Sequence, residues 1–441
     1  MQHLQKMELR IIFHYLRTLY DFTLDRDSPH MQYQVIIIGG GAAGLVAAII
    51  AGRQKSGNVL IIERNDTIGK KILVTGNGRC NLTNTNLSPG KYYGENTKCL
   101  HNIFNRFSCD DAMKFFEGLG VKLKTETDGR VFPFTDRAST IVDALSKEIS
   151  RLKVKVNLKE RVVSLIPIEN GWEVKTDKNV YYTKSVILTI GGKSYPQLGS
   201  TGDGYDIARK LGHRIVEPRP ALVPLELEGN WFKKLQGVKA DVEIILTAQE
   251  KLIIHRTGEL LFTHFGISGP AVLNLSRLII DYQGKTDFSV LINFLPNYKN
   301  SSELDRFLKE CWQAEPKKKI INTLIGLTPK KLCFVLLSEL NIDTDKQISQ
   351  MTKKEMQLLA EKLTRWQLQI KRPRSFKESM VTAGGVSIDE INPKTMESFK
   401  AKGLYFAGEI LDIDGVSGGY NLQFAWSTGY LAGPSVRDCD W

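Results

Sequence analysis

Hydrophobic residues near the beginning of the chain form short runs that no polar position interrupts. Residues 34–38 and 59–62 contain two such runs, a pattern typical of strands that are buried on both faces of a parallel sheet. The alanine-rich residues 42–52 lie between them and predict a helix. Strand, helix and strand together predict one βαβ unit.

The pattern changes in the middle of the chain. Further strands are predicted at residues 154–156, 172–176 and 186–190, and a last one at residues 404–407. In between, residues 222–296 hold short alternating β-branched runs that favour a small β-barrel or sandwich. Residues 301–368 instead have the three- and four-residue apolar spacing of helices. Proline-containing tracts at 218–220 and 371–373 mark the predicted borders of this insert.

These patterns divide the chain into four predicted parts. Residues 1–30 are an N-terminal extension, in which residues 7–24 have the pattern of an amphipathic helix. Residues 31–217 and 374–441 form a discontinuous α/β domain. Residues 218–299 form the inserted β domain, and residues 300–373 form a helical subdomain.

Composition narrows the possible partners. The 441 residues carry a formal net charge of +12, which favours anionic ligands, but no Lys/Arg tract or aromatic-basic repeat predicts a nucleic-acid partner. No stretch approaches the roughly 18 apolar residues that span a bilayer, and the first 30 residues lack a signal peptide's apolar core. The six cysteines are scattered without a C-x-x-C pair, which disfavours disulfides and a metal site. We expect a cytoplasmic protein without a bound metal.

The strongest local motif follows the first predicted strand. Gly39, Gly41 and Gly44 supply G-x-G-x-x-G, which permits a tight turn, a close approach of the backbone to a pyrophosphate, and helix–strand packing. Ala42 and Ala43 begin the helix, whose N-terminus favours phosphate. The second strand ends before Glu63, where a carboxylate would bind ribose hydroxyls and repel a 2′-phosphate. Arg64 follows it. The site therefore suits FAD or NAD.

Two further segments favour FAD. Residues 69–84 are rich in glycine, amide and hydroxyl side chains, which predicts a loop along a long ligand. Its candidate cofactor-binding residues are Lys71, Thr75, Gly76, Asn77, Arg79, Cys80 and Asn81. Near the C-terminus, a strand and a glycine-opened helix predict contacts to the ribityl chain and flavin ring. The candidates there are Gly408, Glu409, Asp412, Gly419, Tyr420, Asn421 and Gln423.

Weaker candidates come from single features. Gly191 and Gly192 follow a predicted strand and would allow close backbone approach to the cofactor, and the backbone of Val163 is a candidate adenine contact. Cys80 and His264 are weak catalytic candidates, as a thiol beside the flavin and as a proton donor. A packed cysteine and a structural histidine are the competing interpretations, since Cys80 has no redox partner at motif spacing.

Several of these segments together resemble a known family. The chain is similar to the NAD(P)/FAD-dependent oxidoreductases of the YhiN or HI0933-like type, through GGGAAGL at 39–45, TGNGRCNLTN at 75–84, GGKSYPQLGSTGDGY at 191–205, LFTHFGISGPAVL at 261–273 and GLYFAGEILDIDGVSGGYNLQFAWSTG at 403–429. The resemblance covers residue 34 to the end. It implies an α/β fold in which a Rossmann-like FAD-binding domain is interrupted by an inserted β-barrel domain with a small helical subdomain.

The expected function follows from these motifs and this resemblance. We expect an FAD-dependent oxidoreductase that passes electrons between NAD(P)H, or a small organic substrate, and an acceptor. FAD would be bound non-covalently, and NADH or NADPH would be a transient electron donor. An FAD-dependent tRNA-modifying enzyme and a flavin-binding protein without turnover are the alternatives. Fold similarity does not select the substrate.

Overall fold

Strands and helices alternate along the described part of the chain. The computed structural model describes residues 32–54, 58–249, 251–282 and 287–435, and the helix predicted at residues 7–24 lies outside them. The strands are β1 (Tyr33–Ile38), β2 (Val59–Ile62), β3 (Thr83–Asn84), β4 (Tyr92–Tyr93), β5 (Leu123–Thr125), β6 (Arg130–Pro133), β7 (Lys155–Asn157), β8 (Val162–Ile168), β9 (Gly171–Thr176), β10 (Val180–Leu188), β11 (Ile215–Ala221), β12 (Leu225–Leu227), β13 (Lys239–Ala248), β14 (Lys251–Phe262), β15 (Gly266–Ser268), β16 (Phe288–Asn293), β17 (Trp366–Pro373), β18 (Val381–Val386), β19 (Leu404–Phe406) and β20 (Asp414–Gly415).

The helices connect these strands. They are α1 (Ala42–Gln54), α2 (Lys70–Val74), α3 (Cys99–Arg106), α4 (Cys109–Gly118), α5 (Ala138–Arg151), α6 (Asp203–Lys210), α7 (Pro270–Tyr282), α8 (Ser301–Gln313), α9 (Ile320–Leu324), α10 (Lys330–Glu339), α11 (Lys353–Thr364) and α12 (Tyr420–Ser435). None of the helices in the described residues is long and apolar enough to cross a membrane.

The main sheet has the strand order β7-β2-β1-β10-β9-β8, and β19 also pairs with β10. Strand β1 pairs in parallel with β2 and β10, and β19 is parallel to β10. Strand β2 is buried along its whole length, as expected for a parallel strand covered on both faces. The Rossmann-like core predicted from the apolar runs is therefore confirmed.

The insert forms a closed barrel of order β12-β15-β14-β13-β16-β17, so the predicted β-barrel is also confirmed. Helices α8 to α11 lie between β16 and β17 in the chain. Residues 366–368, predicted as helical, instead begin strand β17. Trp366, Leu368 and Ile370 are buried and alternate with more exposed residues, so the period here is two rather than 3.6. The division into four parts stays a prediction.

The chain leaves and re-enters the Rossmann-like domain through one narrow connection. Strands β11 and β18 pair antiparallel, from Ile215 opposite Val386 to Ala221 opposite Val381. Beside them lies a small separate hydrophobic cluster, whose members are Ala221, Leu222, Leu273, Val381 and Ala383. This connection joins two large cores, one in the sheet domain and one in the barrel and its helices.

A buried ion pair also joins the inserted domain to the Rossmann-like domain. Arg277 on α7 donates from Nε to Oδ2 of Asp414 on β20 over 2.8 Å. The two side chains are 8% and 1% exposed. Little solvent reaches these charges, so each depends on its partner for compensation.

We expect Arg277→Met to lower the free energy of unfolding by about 3–5 kcal/mol, because the buried Asp414 charge would lose this partner. The measurement is urea unfolding of the purified variant beside the wild type. Arg209→Met is the matched control, since Arg209 pairs with Asp206 on the surface of α6 and should cost under about 1 kcal/mol. Equal losses in the two variants would contradict the importance of the buried pair.

Candidate active site

A cleft of about 1330 Å³ lies between the main sheet and the barrel. The residues that follow the carboxyl ends of β1, β2, β10 and β19 line it, as is usual for ligand sites in open α/β sheets. The predicted cofactor residues on its wall are Gly39, Gly41, Ala42, Ala43, Glu63, Arg64, Lys71, Thr75, Gly76, Asn77, Arg79, Asn81, Gly191, Gly408, Glu409, Gly419, Tyr420 and Asn421. Most of the predicted site is therefore brought to one place.

The glycine-rich turn has the geometry that a dinucleotide needs. A Cβ at Gly41 would meet no atom within 4 Å and would point into open space, so the backbone here can approach a ligand closely. At Gly44, by contrast, a Cβ would overlap the carbonyl oxygen of Gly39. Helix α1 begins at Ala42 with N–H groups that have no partner within the helix. The turn fits a pyrophosphate.

The side chain of Glu63 connects the turn that follows β1 to the turn that follows β2 through hydrogen bonds. Its buried carboxylate accepts hydrogen bonds from the Gly40 N–H at 2.7 Å and from the backbone and side chain of Asn65 at 2.8 Å. Next to it, Arg64 and Arg161 both form ion pairs with Asp203, at 3.2 Å and 2.7 Å. These contacts fix the end of the cleft where a ribose contact is predicted.

Lys71 and Glu409, which lie 338 positions apart in the chain, form an ion pair on the cleft wall. Glu409 also accepts a hydrogen bond from the Thr382 N–H at 2.9 Å and one from the Ser194 hydroxyl. The sequence predicted both residues as cofactor contacts but not their pairing. The pair neutralises the charge of Lys71, which the sequence predicted as a cofactor contact.

Arg79 is held by neighbouring side chains rather than left free. It pairs with Glu126 and Asp136, each at 2.7 Å, and its guanidinium carbon lies 3.9 Å from the centre of the Phe132 ring. Hydrogen bonding to Glu126 raises the pKa of Arg79. Arg79 therefore anchors the turn at Gly76 to the β5–β6 hairpin.

Neither catalytic candidate lies on the cleft wall. Cys80 is fully buried, and burial raises the pKa of its thiol to about 12, which disfavours the reactive thiolate. His264 is exposed in the loop between β14 and β15, with its ring 4.8 Å from that of Phe265. The Cys80 thiol therefore lies in the interior and His264 lies away from the cleft, and the roles of both residues stay predictions.

The segment before α12 folds as a closed loop at the cleft. Asn421 accepts from the Gly415 N–H at 2.8 Å and donates to the Gly415 carbonyl at 2.7 Å. Helix α12 starts at Tyr420, so its N-terminus opens on the cleft beside this loop. Asn274 on α7 accepts from the Ser417 N–H at 2.8 Å and connects the same loop to the inserted domain.

Six predicted cofactor residues do not line the cleft, and the first five of these are Gly44, Cys80, Val163, Gly192 and Gln423. Gln423 is buried and bonds to Thr83 at 2.5 Å and to the Ser108 carbonyl at 3.0 Å, so it supports the loops behind the cleft. Val163 is 41% exposed on β8. The prediction for Val163 concerned its backbone, and the neighbouring Arg161 and Val162 line the cleft instead.

Asp412 is the sixth predicted residue away from the cleft wall. It is 3% exposed and accepts a hydrogen bond from the Glu95 N–H at 3.0 Å. Burial raises the pKa of its carboxyl to about 6. Its carboxylate is therefore part of the interior behind loop 415–419.

The sequence analysis did not predict two features of the site. Gly429 and Gly433 on α12 lie against α1, where a Cβ at Gly429 would overlap the Ala43 carbonyl. Their spacing of four residues was the available signal. The barrel wall of the cleft, with Gly258, Ser268 and Asn274, was also missed, because it depends on how the insert packs back on the sheet.

The parallel sheet, the glycine turn and the cleft at the strand ends define a dinucleotide-binding protein of the Rossmann type. The chain belongs to the HI0933-like family, whose Rossmann-domain model matches residues 33–435. It is thus an FAD-binding flavoprotein of an oxidoreductase family, as the sequence motifs predicted.

Relatives of known activity cover almost the whole chain. It is 38% identical over 408 residues to a 3-dehydro-bile acid delta(4,6)-reductase of Clostridium scindens, covering 91% of this chain and 98% of that protein. It is 35% identical over 401 residues to the ribosomal RNA dihydrouridine synthase of Escherichia coli, covering 90% and 96%.

A solved structure supports the fold alone. The 3-ketosteroid delta1-dehydrogenase from Sterolibacterium denitrificans matches with a TM-score of 0.50 at 13% identity, covering 92% of this chain and 99% of that one.

We expect Gly44→Ala to weaken FAD binding about tenfold or more, because the added methyl would displace the turn at Gly39 by which the backbone approaches the pyrophosphate. The measurement is a titration of apoprotein with FAD, followed by quenching of flavin fluorescence. Gly118→Ala is the control, since a Cβ there meets no atom within 4 Å. Unchanged FAD affinity in Gly44→Ala would contradict the assignment of this turn.

We expect Asp412→Asn to raise the free energy of unfolding at pH 8 by about 1–3 kcal/mol. The pKa of Asp412 is raised to about 6 in the folded protein, against about 4 when unfolded. Its favourable contribution is therefore complete below pH 4 and is lost as the pH rises through 6.

Urea unfolding at pH 4, 6 and 8 measures this effect, with Asp206→Asn on the surface of α6 as the control. The advantage of Asp412→Asn should vanish near pH 4. A difference that does not depend on pH would show that the substitution acts through packing instead.

Proposed function

We propose that this protein is an FAD-dependent reductase of a carbon–carbon double bond conjugated to a carbonyl group, with NADH or NADPH as electron donor. The observation that carries the proposal is the shared cleft. The N-termini of α1 and α12 open into it from one side, and the barrel closes it from the other. A cofactor on the sheet side would leave a compartment for substrate next to the barrel.

The cofactor would lie along the strand ends. The turn at Gly39–Gly44 would hold the pyrophosphate, and Glu63 would bind the ribose of the adenosine part. The N-terminus of α12, after Gly419, would place a partial positive charge beside the flavin ring and stabilise negative charge there. Bound FAD, once reduced, would supply the hydride.

The inserted domain would orient the substrate. Asn274 and Ser268 present polar groups from the barrel side, and Leu273 and Pro270 present apolar surface. A wall of this kind would exclude water from the reacting bond and bind the carbonyl group. Because the double bond is conjugated, negative charge would develop on that carbonyl oxygen, where hydrogen-bond donors are most useful.

The two relatives favour this reaction class. The name of the bile acid enzyme describes reduction in a 3-oxo steroid, and that of the RNA enzyme describes reduction of uridine to dihydrouridine. In both substrates the double bond is conjugated to a carbonyl. This shared chemistry supports the proposal that the cleft carries out the same type of reaction in each family member, on an acceptor that differs between members.

A small-molecule ketone is the acceptor that we favour, as the sequence-based expectation of a small substrate suggests. A uridine in RNA is the second candidate, which the 35% identity to an RNA-modifying enzyme and the net charge of +12 favour. RNA binding would depend steeply on salt concentration. A small-molecule oxidase or a flavin-binding protein without turnover would instead hold a flavin that neither NADH nor NADPH bleaches.

The test is an anaerobic visible spectrum of the purified protein. We expect NADH or NADPH to bleach the flavin absorbance, and a 3-oxo-4-ene steroid or a uridine-containing RNA to restore it. The compound that restores the flavin absorbance, steroid or RNA, would distinguish the two candidate acceptors. If the flavin bleaches but no conjugated acceptor restores it, the proposed reaction is wrong; restoration by a saturated ketone would also contradict it.

A further inference from the structure

The cleft carries two cationic side chains that no carboxylate neutralises among the described residues. Nine lysines and arginines line it, and seven of these form ion pairs. The paired ones are Arg64, Lys70, Lys71, Arg79, Arg130, Arg161 and Lys239. The other two, Lys91 and Arg256, have no ion pair within the part of the chain that the structure describes. Both are exposed to solvent.

These two residues line the same cleft, Lys91 from the Rossmann-like domain and Arg256 from strand β14 of the barrel. The Lys91 carbonyl accepts a hydrogen bond from the Val416 N–H at 2.9 Å, which places it next to loop 415–419. Arg256 is two residues before Gly258, where an added Cβ would lie 3.5 Å from the Cβ of Ala271 on α7. The same helix reaches the loop through Asn274. Lys91 and Arg256 therefore both line the cleft, and contacts through α7 and loop 415–419 connect their positions.

The pairing pattern distinguishes these two positions from the general basic surface. A cation that already faces a carboxylate attracts a further anion less than an unpaired cation with the same exposure to solvent does. Arg256 donates one hydrogen bond, to the carbonyl of His255 at 3.0 Å. The other donors of its planar guanidinium can bind a carboxylate or a phosphate through two parallel bonds.

We propose that Lys91 and Arg256 form an anion subsite, which binds a negatively charged group of the substrate away from its reacting double bond. This inference rests on the proposed function, since it assigns the subsite to the acceptor substrate. The charged group is a carboxylate on a small keto acid or a phosphate of an RNA strand. In either case the subsite selects substrates by charge and leaves the chemistry to the rest of the cleft.

Binding to the oxidised holoenzyme tests the proposal without turnover. The probes are a 3-oxo-4-ene steroid with a side-chain carboxylate, its methyl ester, and an oligoribonucleotide of about ten nucleotides that contains uridine. Dissociation constants are measured by calorimetry for wild type, Lys91→Gln and Arg256→Gln. Lys239→Gln is the matched control, because Lys239 lies on the same barrel wall but pairs with Glu259 at 3.2 Å.

We expect Arg256→Gln to weaken binding of an anionic probe about tenfold or more, and Lys91→Gln somewhat less. Binding of the methyl ester should not change. If the carboxylate is the recognised group, the steroid acid shows the loss; if it is the phosphate, the oligoribonucleotide shows it and its salt dependence becomes shallower by about one counterion per cation removed.

Three results would overturn the subsite. One is an equal loss for the acid and its ester, which would indicate a structural effect. Another is an equal loss of affinity for the anionic probes in Lys239→Gln, which would indicate a general effect of positive charge. The third is unchanged affinity for every anionic probe in both Lys91→Gln and Arg256→Gln. The visible spectrum tests the proposed reaction independently of these binding measurements. If the wild-type protein binds the anionic probes but reduces none of them, the proposed reaction is wrong and the proposed subsite still stands.

Discussion

The close approach of backbone to backbone around α1 is the constraint on which the rest of the structure depends. At its beginning, Gly44 packs on the Gly39 carbonyl, and the Thr189 hydroxyl donates to the carbonyls of Ile38 and Gly39 at 2.9 and 2.8 Å. Further along, Gly429 on α12 packs against Ala43. Only residues without side chains permit such contacts. They hold two helices side by side so that both N-termini face the same cleft.

The local parts of the structure could be predicted well from the sequence. The apolar runs of β1 and β2 and the turn at Gly39–Gly44 are set by neighbours within a few residues, so the sequence pattern contains them. Strand β17 was misjudged, because its alternation follows directly on the amphipathic helix α11. Its partners β12 and β16 are far away in the chain, and pairing with them decides its conformation.

The side chains of the site were harder to predict than its backbone. Glycines mark positions where the backbone turns or approaches another group more closely than a side chain would allow, but the partner of a lysine or a glutamine depends on the whole fold. Lys71 meets Glu409 from the other end of the chain, and Gln423 turns inward to Thr83. Likewise, nothing local to Cys80 shows that the thiol is fully buried. Burial and pairing are tertiary properties, and one sequence contains only weak signals for them.

Strands β11 and β18 place the departure and the return of the chain next to each other. An insertion with adjacent ends can change in size, shape and lining without requiring any rearrangement of the fold that carries it. If the proposed function holds, selection can rebuild the barrel for a new acceptor while the cofactor-binding half stays the same. Such modular descent would explain how relatives that share over a third of their residues with this chain came to act on a bile acid and on ribosomal RNA.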